Sequence, residues 1–268
     1  MMIIKKLFTR RWILATLLAI FAMAVLVRLG FWQLDRLHQR REMNVKVINQ
    51  INQPALDLSG QALEKDLTDM EYRKVVVEGE YDPSNQVILI NQVYLDQYGA
   101  SLFTPLRILN SDKVILVNRG WIPGDQALSG SWSQYDEPGL VKVSGVIHLP
   151  QSKPDIGHMT DPTLVPGGER IKTWNFANLG QMAKQMPYPI MGVYIQESPD
   201  PSWTQLPYRT EPELDLTEGP HLGYALQWFT FAVILAVGYP LYVQREEQNS
   251  SKDKSKKAAS FKSKETIQ

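Results

Sequence analysis

The chain of 268 residues contains no cysteine and only four histidines. The absence of cysteine excludes disulfide bonds, thiolate metal sites and CxxC redox or copper-transfer chemistry. Three histidines, His38, His148 and His158, are too scattered to form a metal site, and each is interpreted as a solvated or hydrogen-bonded side chain. The sequence also has no P-loop, no GxGxxG motif after a strand and no GxSxG elbow. We therefore expect no catalytic residues and no enzymatic activity.

Charge is balanced overall but unevenly distributed. Residues 1–11 carry four basic and no acidic side chains, residues 28–220 carry 17 basic and 24 acidic, and residues 244–268 carry seven basic and four acidic. A protein that binds nucleic acid would concentrate lysine and arginine on its folded part. An acidic middle between basic ends argues against nucleic acid as a partner. It suits a protein with membrane spans near both ends and lipids as partners.

The longest apolar run follows His221 and continues for 22 residues without a charged side chain. At about 1.5 Å per residue it reaches about 33 Å as a helix, which is enough to cross a bilayer. Glu218, Gly219 and Pro220 mark its start, since proline suits the first helical turn and an acidic residue suits the positive helix end. A transmembrane helix is predicted over residues 218–243.

A second apolar run, Trp12–Val27, lies near the start of the chain and follows a basic cluster. Its 16 residues span about 24 Å, and Arg28 can extend its side chain to the interface, so a transmembrane helix is predicted over residues 12–32. A cleaved signal peptide is the alternative, because Ala22-Met23-Ala24 matches the A-x-A pattern. That match lies inside the apolar run rather than after it, which favours an uncleaved span.

The basic ends also predict a topology. Basic segments tend to stay in the cytoplasm, which places residues 1–11 and the tail 244–268 there and the chain between the two spans on the other side. Residues 33–72 are predicted to form a juxtamembrane helix and connection, and residues 73–217 an extracytoplasmic domain. The short basic start lacks the long Arg- and Ser-rich presequence of imported mitochondrial proteins. We therefore expect a multi-pass protein of a bacterial plasma membrane.

From residue 73 onward, short β-rich runs alternate with turn residues. Four of these runs follow one another closely, which indicates antiparallel pairing because parallel strands need long crossovers. The predicted strands are Arg73–Tyr81, Gln86–Tyr94, Ser101–Leu109, Lys113–Pro123, Leu140–His148, Arg170–Phe176 and Pro189–Gln196, with a short helix at Asn178–Gln185. The predicted fold class is membrane α+β. Two transmembrane helices flank one β-rich, mainly antiparallel extracytoplasmic domain with short helices.

The remaining histidine, His221, lies where the second span meets the membrane surface. Tyr224, Trp228 and Phe231 follow it at helical spacing on one face. A neutral imidazole is a good ligand for haem iron, and an aromatic face can pack against a porphyrin. By spacing alone, the commoner case is an ordinary interfacial histidine beside a belt of aromatic side chains. The residues leave both interpretations open.

The string NRGWIP at Asn118–Pro123 ends one of the predicted strands. A catalytic loop is one interpretation. Its composition favours a structural turn, because glycine supplies unusual backbone angles and proline ends a strand. Trp121 and Arg119 can anchor such a turn or face the membrane or a partner.

Four short motifs occur in order along the chain. They are Gly30-x-Trp32-Gln33-x-x-Arg36, then Gly99 with Thr104-Pro105-Leu106, then Val117–Pro123, and finally His221-Leu222 with Tyr224, Ala225 and Trp228. Together they resemble the Surfeit locus protein 1 family, the assembly factors of cytochrome c oxidase. Each motif is weak alone, but with two spans around one β-rich domain they cover nearly the whole chain.

The resemblance implies a non-enzymatic factor that binds haem a and assists its insertion into the main subunit of cytochrome c oxidase, with haem a synthase as a further candidate partner. It implies His221 as the ligand of the haem iron and Tyr224 and Trp228 as neighbours of the cofactor. The residues expected to carry family motifs or partner contacts are Gly30, Trp32, Gln33, Arg36, Arg119, Gly120, Trp121 and Pro123.

The alternative function is a membrane-tethered scaffold or sensor whose outer domain binds a protein partner without haem. The chain also departs from the family pattern. Glu218-Gly219-Pro220 stands where many members have asparagines, and Gln227 stands where many have threonine. These departures bear on haem affinity or haem type, because they leave the histidine and both aromatic positions in place.

Overall fold

The computed structural model describes residues 6–153, 158–165, 167–212 and 214–265, with side chains described as far as residue 255. The chain divides into two compact units. One unit contains the residues up to Asn44 together with those from Leu216 onward, and the other is Val45–Asp215. The predictions for residues 1–5 and for the side chains of the lysine-rich tail beyond residue 255 lie outside the described part.

Four α-helices begin and end within the described residues, two of them long and two short. The helices are α1 (Ile13–Asn52), α2 (Gly124–Ala127), α3 (Leu179–Met182) and α4 (His221–Glu265). Short 3₁₀ turns occur at Gly60–Glu64, Pro83–Asn85, Ser133–Tyr135 and Ala183–Gln185. Helices α1 and α4 are long and apolar enough to cross a membrane. Their apolar side chains are mostly exposed within the unit, for example Leu14, Phe21 and Val233, as expected for helices that face lipid.

Eight strands form one mixed sheet in the unit Val45–Asp215. They are β1 (Leu56–Asp57), β2 (Lys74–Tyr81), β3 (Val87–Tyr94), β4 (Gln97–Ile108), β5 (Val114–Pro123), β6 (Leu140–His148), β7 (Thr173–Trp174) and β8 (Tyr194–Glu197). The strand order is β1-β2-β6-β8-β5-β4-β3-β7, and an additional pairing of β2 with β4 closes the sheet into a barrel. Five of the eight strand pairs are antiparallel, whereas β1–β2, β3–β7 and β5–β8 are parallel. The predicted fold class is therefore confirmed as two long apolar helices that flank one β-rich, mainly antiparallel domain with short helices.

The closure of the barrel depends on one glycine. Gly79 in β2 pairs with Ile108 in β4. A Cβ atom at position 79 would lie 2.2 Å from the carbonyl oxygen of Arg107, so only glycine lets the two strands approach this closely. No local sequence pattern marks Gly79 for this role.

The apolar alternation of the strands explains where the core forms. In β2, Val75 and Val77 point inward and pack with Leu106, Ile115 and other aliphatic side chains. Strand β5 is buried on both faces, because Ile115 and Leu116 belong to different core clusters. This double burial accounts for its nearly continuous apolar run.

The segment before residue 73 also contributes to this core. Leu58, Leu63 and Leu67 are buried in the same cluster as β2, and β1 pairs with β2 in parallel. The sequence of this segment predicts only a connection between a membrane helix and the domain. Its apolar residues are spaced too irregularly to indicate a strand, so only the folded domain reveals what they pack against.

Candidate functional site

Helices α1 and α4 pack along one apolar seam. The buried residues of α1 are Thr16, Gly30, Leu37 and Asn44, which recur at multiples of seven. On α4, Ala225, Ala232 and Val243 are buried. A repeat of seven keeps one face of a helix turned toward its neighbour over several turns. The seam therefore decides which residues of each motif face inward.

Gly30 makes room on α1 for the side chain of Phe229 from α4. A Cβ atom at this position would lie 2.6 Å from Cε1 of Phe229. The Phe229 ring also makes an edge contact with Phe31, at 5.4 Å between ring centroids. Small residues at helix contacts are typical of membrane helix pairs, because they let van der Waals packing replace the hydrophobic effect. The first residue of the first motif thus has a packing role.

Polar contacts lie near both ends of the two apolar runs. At one end, Trp12 Nε1 donates to Glu247 and the Trp12 ring meets Tyr242 edge-on. At the other end lie Gln33 and His221. In the sequence, 21 positions separate Trp12 from Gln33 and 21 separate His221 from Tyr242. Twenty-one helical steps rise about 32 Å, close to the thickness of a bilayer core.

His221 is the first residue of α4, and its side chain is half-buried. Its Nδ1 lies 2.8 Å from Oε1 of Gln33, so the first and fourth sequence motifs meet here. No described residue forms a hydrogen bond with its Nε2. A Cβ atom at Gly219, whose φ is +67°, would lie 3.6 Å from that Nε2. The absence of a side chain at Gly219 keeps this side of the imidazole open.

The aromatic residues that follow His221 have different surroundings. Tyr224 is 47% exposed and Phe231 is also exposed, so both flank the seam instead of filling it. Trp228 is half-buried and meets Phe231 edge-on at 6.2 Å, and its indole Nε1 is buried without a partner among the described residues. The exposed rings of Tyr224 and Phe231 lie about two helical turns apart on the same side of α4.

Two residues of the first motif face away from the seam. Trp32 is exposed, and Arg36 is exposed with its guanidinium bonded to Gln39 three residues later. Helical geometry explains the division, since Gly30, Gln33 and Leu37 fall on one face and positions 32 and 36 on another. Trp32 and Arg36 are therefore available to a lipid or a partner.

In the β-rich unit, Arg119 occupies a fully buried position at 1% exposure. Its Nη2 donates to a carboxylate oxygen of Glu137 and to the carbonyl of Tyr135, and its guanidinium lies 4.7 Å from the centroid of the Tyr81 ring. Breaking a buried ion pair by removing one partner is costly, because the other charge is left without compensation. Arg119 thus anchors the 135–137 segment to the barrel.

Gly120 and Trp121 of β5 contact the segment around Tyr208 and hold it against the barrel. Gly120 has a φ of +126°, and a Cβ atom there would lie 2.5 Å from the carbonyl oxygen of Tyr208. Trp121 exchanges two backbone hydrogen bonds of 2.8 Å with Tyr208, and their rings stack at 6.2 Å. Pro123 is the last residue of β5, immediately before α2. In this structure the string NRGWIP makes intramolecular contacts throughout.

A second buried ion pair lies beside Arg119. Glu197 Oε1 lies 2.8 Å from Arg209 Nη2, and the Arg209 guanidinium stacks on the Trp203 ring at 4.1 Å. Burial raises the pKa of Glu197 to about 7, against the lowering effect of Arg209. Sequence reasoning missed Glu197, Glu137 and Arg209, because isolated charged residues in loops or at strand ends carry no pattern that indicates burial.

The described residues contain no group of three or more His, Cys, Asp or Glu side chains that could hold a metal ion. A haem needs less from the protein, since one axial imidazole can hold its iron. The open side of the imidazole at Nε2, beside Gly219, and the exposed aromatic flank of Tyr224 and Phe231 fit such a group. His221 would hold the iron, and the aromatic flank would contact the porphyrin.

Comparison with known proteins identifies the family of this chain. The model of the SURF1 family matches residues 20–233, which is most of the chain. The chain belongs to the SURF1 family. A SURF1-like protein of Rickettsia bellii is 29% identical over 223 residues, covering 81% of this chain and 86% of the relative. The resemblance seen in the four motifs is thereby confirmed.

More distant relatives extend beyond bacteria. A SURF1-like protein of Caenorhabditis briggsae is 23% identical and covers 83% of this chain and 73% of the relative. The Surfeit locus protein 1 of Xenopus tropicalis is 24% identical and covers 75% of this chain and 66% of the relative. SURF1-family proteins are in general assembly factors for cytochrome oxidase and are not known enzymes.

The buried groups of this SURF1-family domain predict an unusual dependence of stability on pH. The folded pKa of Glu197, about 7, lies above its usual 4.5, so its contribution to stability falls as pH rises through that window. Burial lowers the pKa of His148 to about 4, below its usual 6.5, so its contribution rises with pH. The two contributions oppose each other between pH 4.5 and 6.5. Glu197→Gln should therefore steepen the rise of the unfolding free energy with pH, by up to about 1.4 kcal/mol per pH unit.

Urea unfolding of residues 45–215, followed by tryptophan fluorescence at pH 4.5, 5.5 and 6.5, measures this change. His148→Phe is the matched variant, because it keeps an aromatic ring against Tyr194 and should change the slope in the opposite direction. Parallel pH profiles for the wild type and Glu197→Gln would contradict the prediction.

Proposed function

We propose that this protein is an assembly factor for cytochrome c oxidase that binds haem a through His221 and assists its insertion into the main oxidase subunit. The observation that carries the proposal is the meeting of the first and fourth motifs at the end of the helix pair. There His221 is held by one nitrogen while the other has no partner among the described residues. Family membership supports cytochrome c oxidase as the protein that is assembled. The imidazole supports haem as the group that is bound, because it is a common ligand of haem iron.

The residues of the site suit a carrier that must release its cargo. One imidazole supplies a single bond to iron, so transfer requires the loss of only one ligand. The exposed ring of Tyr224 supplies packing that a competing site can replace. Trp32 and Arg36 lie on the outer face of α1 and are the candidate contacts for the oxidase main subunit, haem a synthase or lipid headgroups.

The absorption spectrum of the purified full-length protein tests this function directly. The protein is produced in cells that synthesise haem a, and a parallel strain lacking the gene is assayed for oxidase activity. We expect a haem a spectrum in the protein and reduced oxidase activity in the deletion strain. A colourless protein, with normal oxidase activity in the deletion strain, would contradict the proposal.

The scaffold function without haem remains the second candidate, and an apolar hairpin tip favours it. At the β3–β4 hairpin, Leu95 in the turn is 78% exposed and Tyr98 near the start of β4 is 81% exposed. Large exposed apolar residues of this kind are typical of contact surfaces. A colourless protein whose deletion still lowers oxidase activity would support this candidate.

We also propose that both termini are cytoplasmic and that the β-rich domain lies outside a bacterial plasma membrane. Two candidate spans, basic ends and the bacterial relatives support this topology. Alkaline phosphatase fused after Gly130 should be active, and the same reporter after residue 250 should be inactive. A cytoplasm-dependent reporter should give the reciprocal pattern at both sites. The opposite result at both positions would reverse the topology.

A further inference from the structure

We propose that Gln33 orients His221 for haem by accepting the hydrogen bond from Nδ1–H, which leaves Nε2 as the nitrogen that binds iron. This inference rests on the proposed function and adds a positioning residue to it. Gln33 belongs to α1 and His221 to α4, so the residue that sets the geometry of the ligand comes from the other helix of the pair.

The chemistry of imidazole explains why such a partner is needed. A neutral imidazole carries its proton on one nitrogen and offers a lone pair on the other, and a hydrogen bond at one nitrogen decides which. An acceptor 2.8 Å from Nδ1 places the proton there and frees the lone pair of Nε2. Histidines that bind metals generally donate their other N–H in this way, which fixes the ring and raises its basicity.

The surroundings agree with this assignment. Nε2 lies beside Gly219, where any other residue would place a Cβ at 3.6 Å. The side chain of Gln33 therefore contacts Nδ1, whereas Nε2 lies beside Gly219, which has no side chain. A half-turn of the ring about its Cβ–Cγ bond would place Cδ2 where Nδ1 now faces Gln33 and would exchange Nε2 with Cε1, so the hydrogen bond would be lost. The hydrogen bond to Gln33 opposes that rotation.

Substitutions at Gln33 in the full-length protein test the role. Gln33→Leu removes the acceptor at similar size and should weaken haem retention by about 10–100-fold, the usual effect of losing such a partner. Gln33→Glu supplies a carboxylate that can only accept, so it should retain haem. It should also shift the reduction potential of bound haem downward, because a stronger acceptor makes the imidazole more basic.

The matched control is Asn44→Leu. Asn44 Nδ2 donates to the carbonyl of Leu216 at 2.7 Å, a second hydrogen bond within the same unit that does not touch His221. We expect Asn44→Leu to keep its haem. Equal haem loss in Asn44→Leu and Gln33→Leu would mean that Gln33 acts only as a contact between helices. That result would overturn the inference.

The imidazole proton can also be observed without haem. With ¹⁵N-labelled histidine in the apo-protein, His221 is assigned by the signal missing from His221→Ala. We expect protonated Nδ1 and bare Nε2 in the wild type and a change of tautomer in Gln33→Leu. Protonated Nε2 in the wild type would overturn the inference, as would full haem retention in Gln33→Leu. If His221→Ala loses haem but Gln33→Leu keeps it, the proposed function would stand and the positioning role of Gln33 would be refuted. A wild-type protein without haem would refute both the proposed function and the role of Gln33.

Discussion

Replacing His221 with alanine is expected to remove most of the haem that co-purifies with the protein. The substitution deletes the proposed bond to iron. Losing an outer partner of a metal ligand typically lowers metal affinity by 10–100-fold, so losing the ligand itself should lower haem retention by at least about tenfold. Oxidase activity in the producing cells should fall in parallel. The helix pair should stay intact, because Gly30, Trp12 and Asn44 hold it through contacts that do not involve the imidazole. Haem content is measured by absorption per mole of protein.

Two kinds of control separate the iron ligand from its surroundings. His38→Ala removes an exposed histidine of the same unit, whose Nε2 lies 3.3 Å from Glu42, and should leave haem content unchanged. Tyr224→Ala and Trp228→Ala should weaken retention less than His221→Ala, because they remove packing and not the iron bond. An unchanged spectrum in a well-inserted His221→Ala protein would refute the ligand role and favour the scaffold function.

Replacing Arg119 with leucine is expected to destabilise the β-rich domain by about 3–5 kcal/mol. The guanidinium is fully buried, and its loss leaves the Glu137 carboxylate and the Tyr135 carbonyl without their donor. A change of this size is a large part of the stability of a typical domain, so the level of the full-length protein should also fall. Urea unfolding of residues 45–215 measures the change.

Two further variants test the cause of this loss. Lys142→Ala removes the exposed partner of Glu78, at 3.5 Å, and should cost less than about 1 kcal/mol. In a double-mutant cycle, Glu137→Gln should cost less in the Arg119→Leu background than in the wild type, because the carboxylate it removes has already lost its partner. Additive effects of the two substitutions would mean that the ion pair contributes little.

The fold was largely predictable from local patterns. Short β-rich runs between turn residues predicted all the longer strands. Val75 and Val77 in β2 alternate because one side of that strand faces a core, whereas β5 is apolar almost throughout because both of its faces are buried. Strand β1 has only two residues, too few to show a period, and it was missed. Closure of the barrel was not visible either, since a pairing between β2 and β4 depends on Gly79 and on the path of the whole sheet.

The candidate site was predictable as a set of residues but not as a geometry. His221 and Gln33 were both identified from their motifs, yet they are 188 positions apart and nothing in either motif indicates that they meet. Trp32 and Gln33 are neighbours in the sequence, but only Gln33 faces α4. That division depends on where the partner helix packs.

The sequence by itself determined the two long apolar helices, the strand-rich segment between them and the family, because these follow from composition, period and short motifs. Tertiary structure alone decided which nitrogen of His221 is held and which is left open, since a hydrogen bond between distant residues has no local signature. It alone also decided that Arg119, an isolated charge in the sequence of a strand, is buried and anchors a neighbouring segment. Burial is a property of the packed chain and not of the residue.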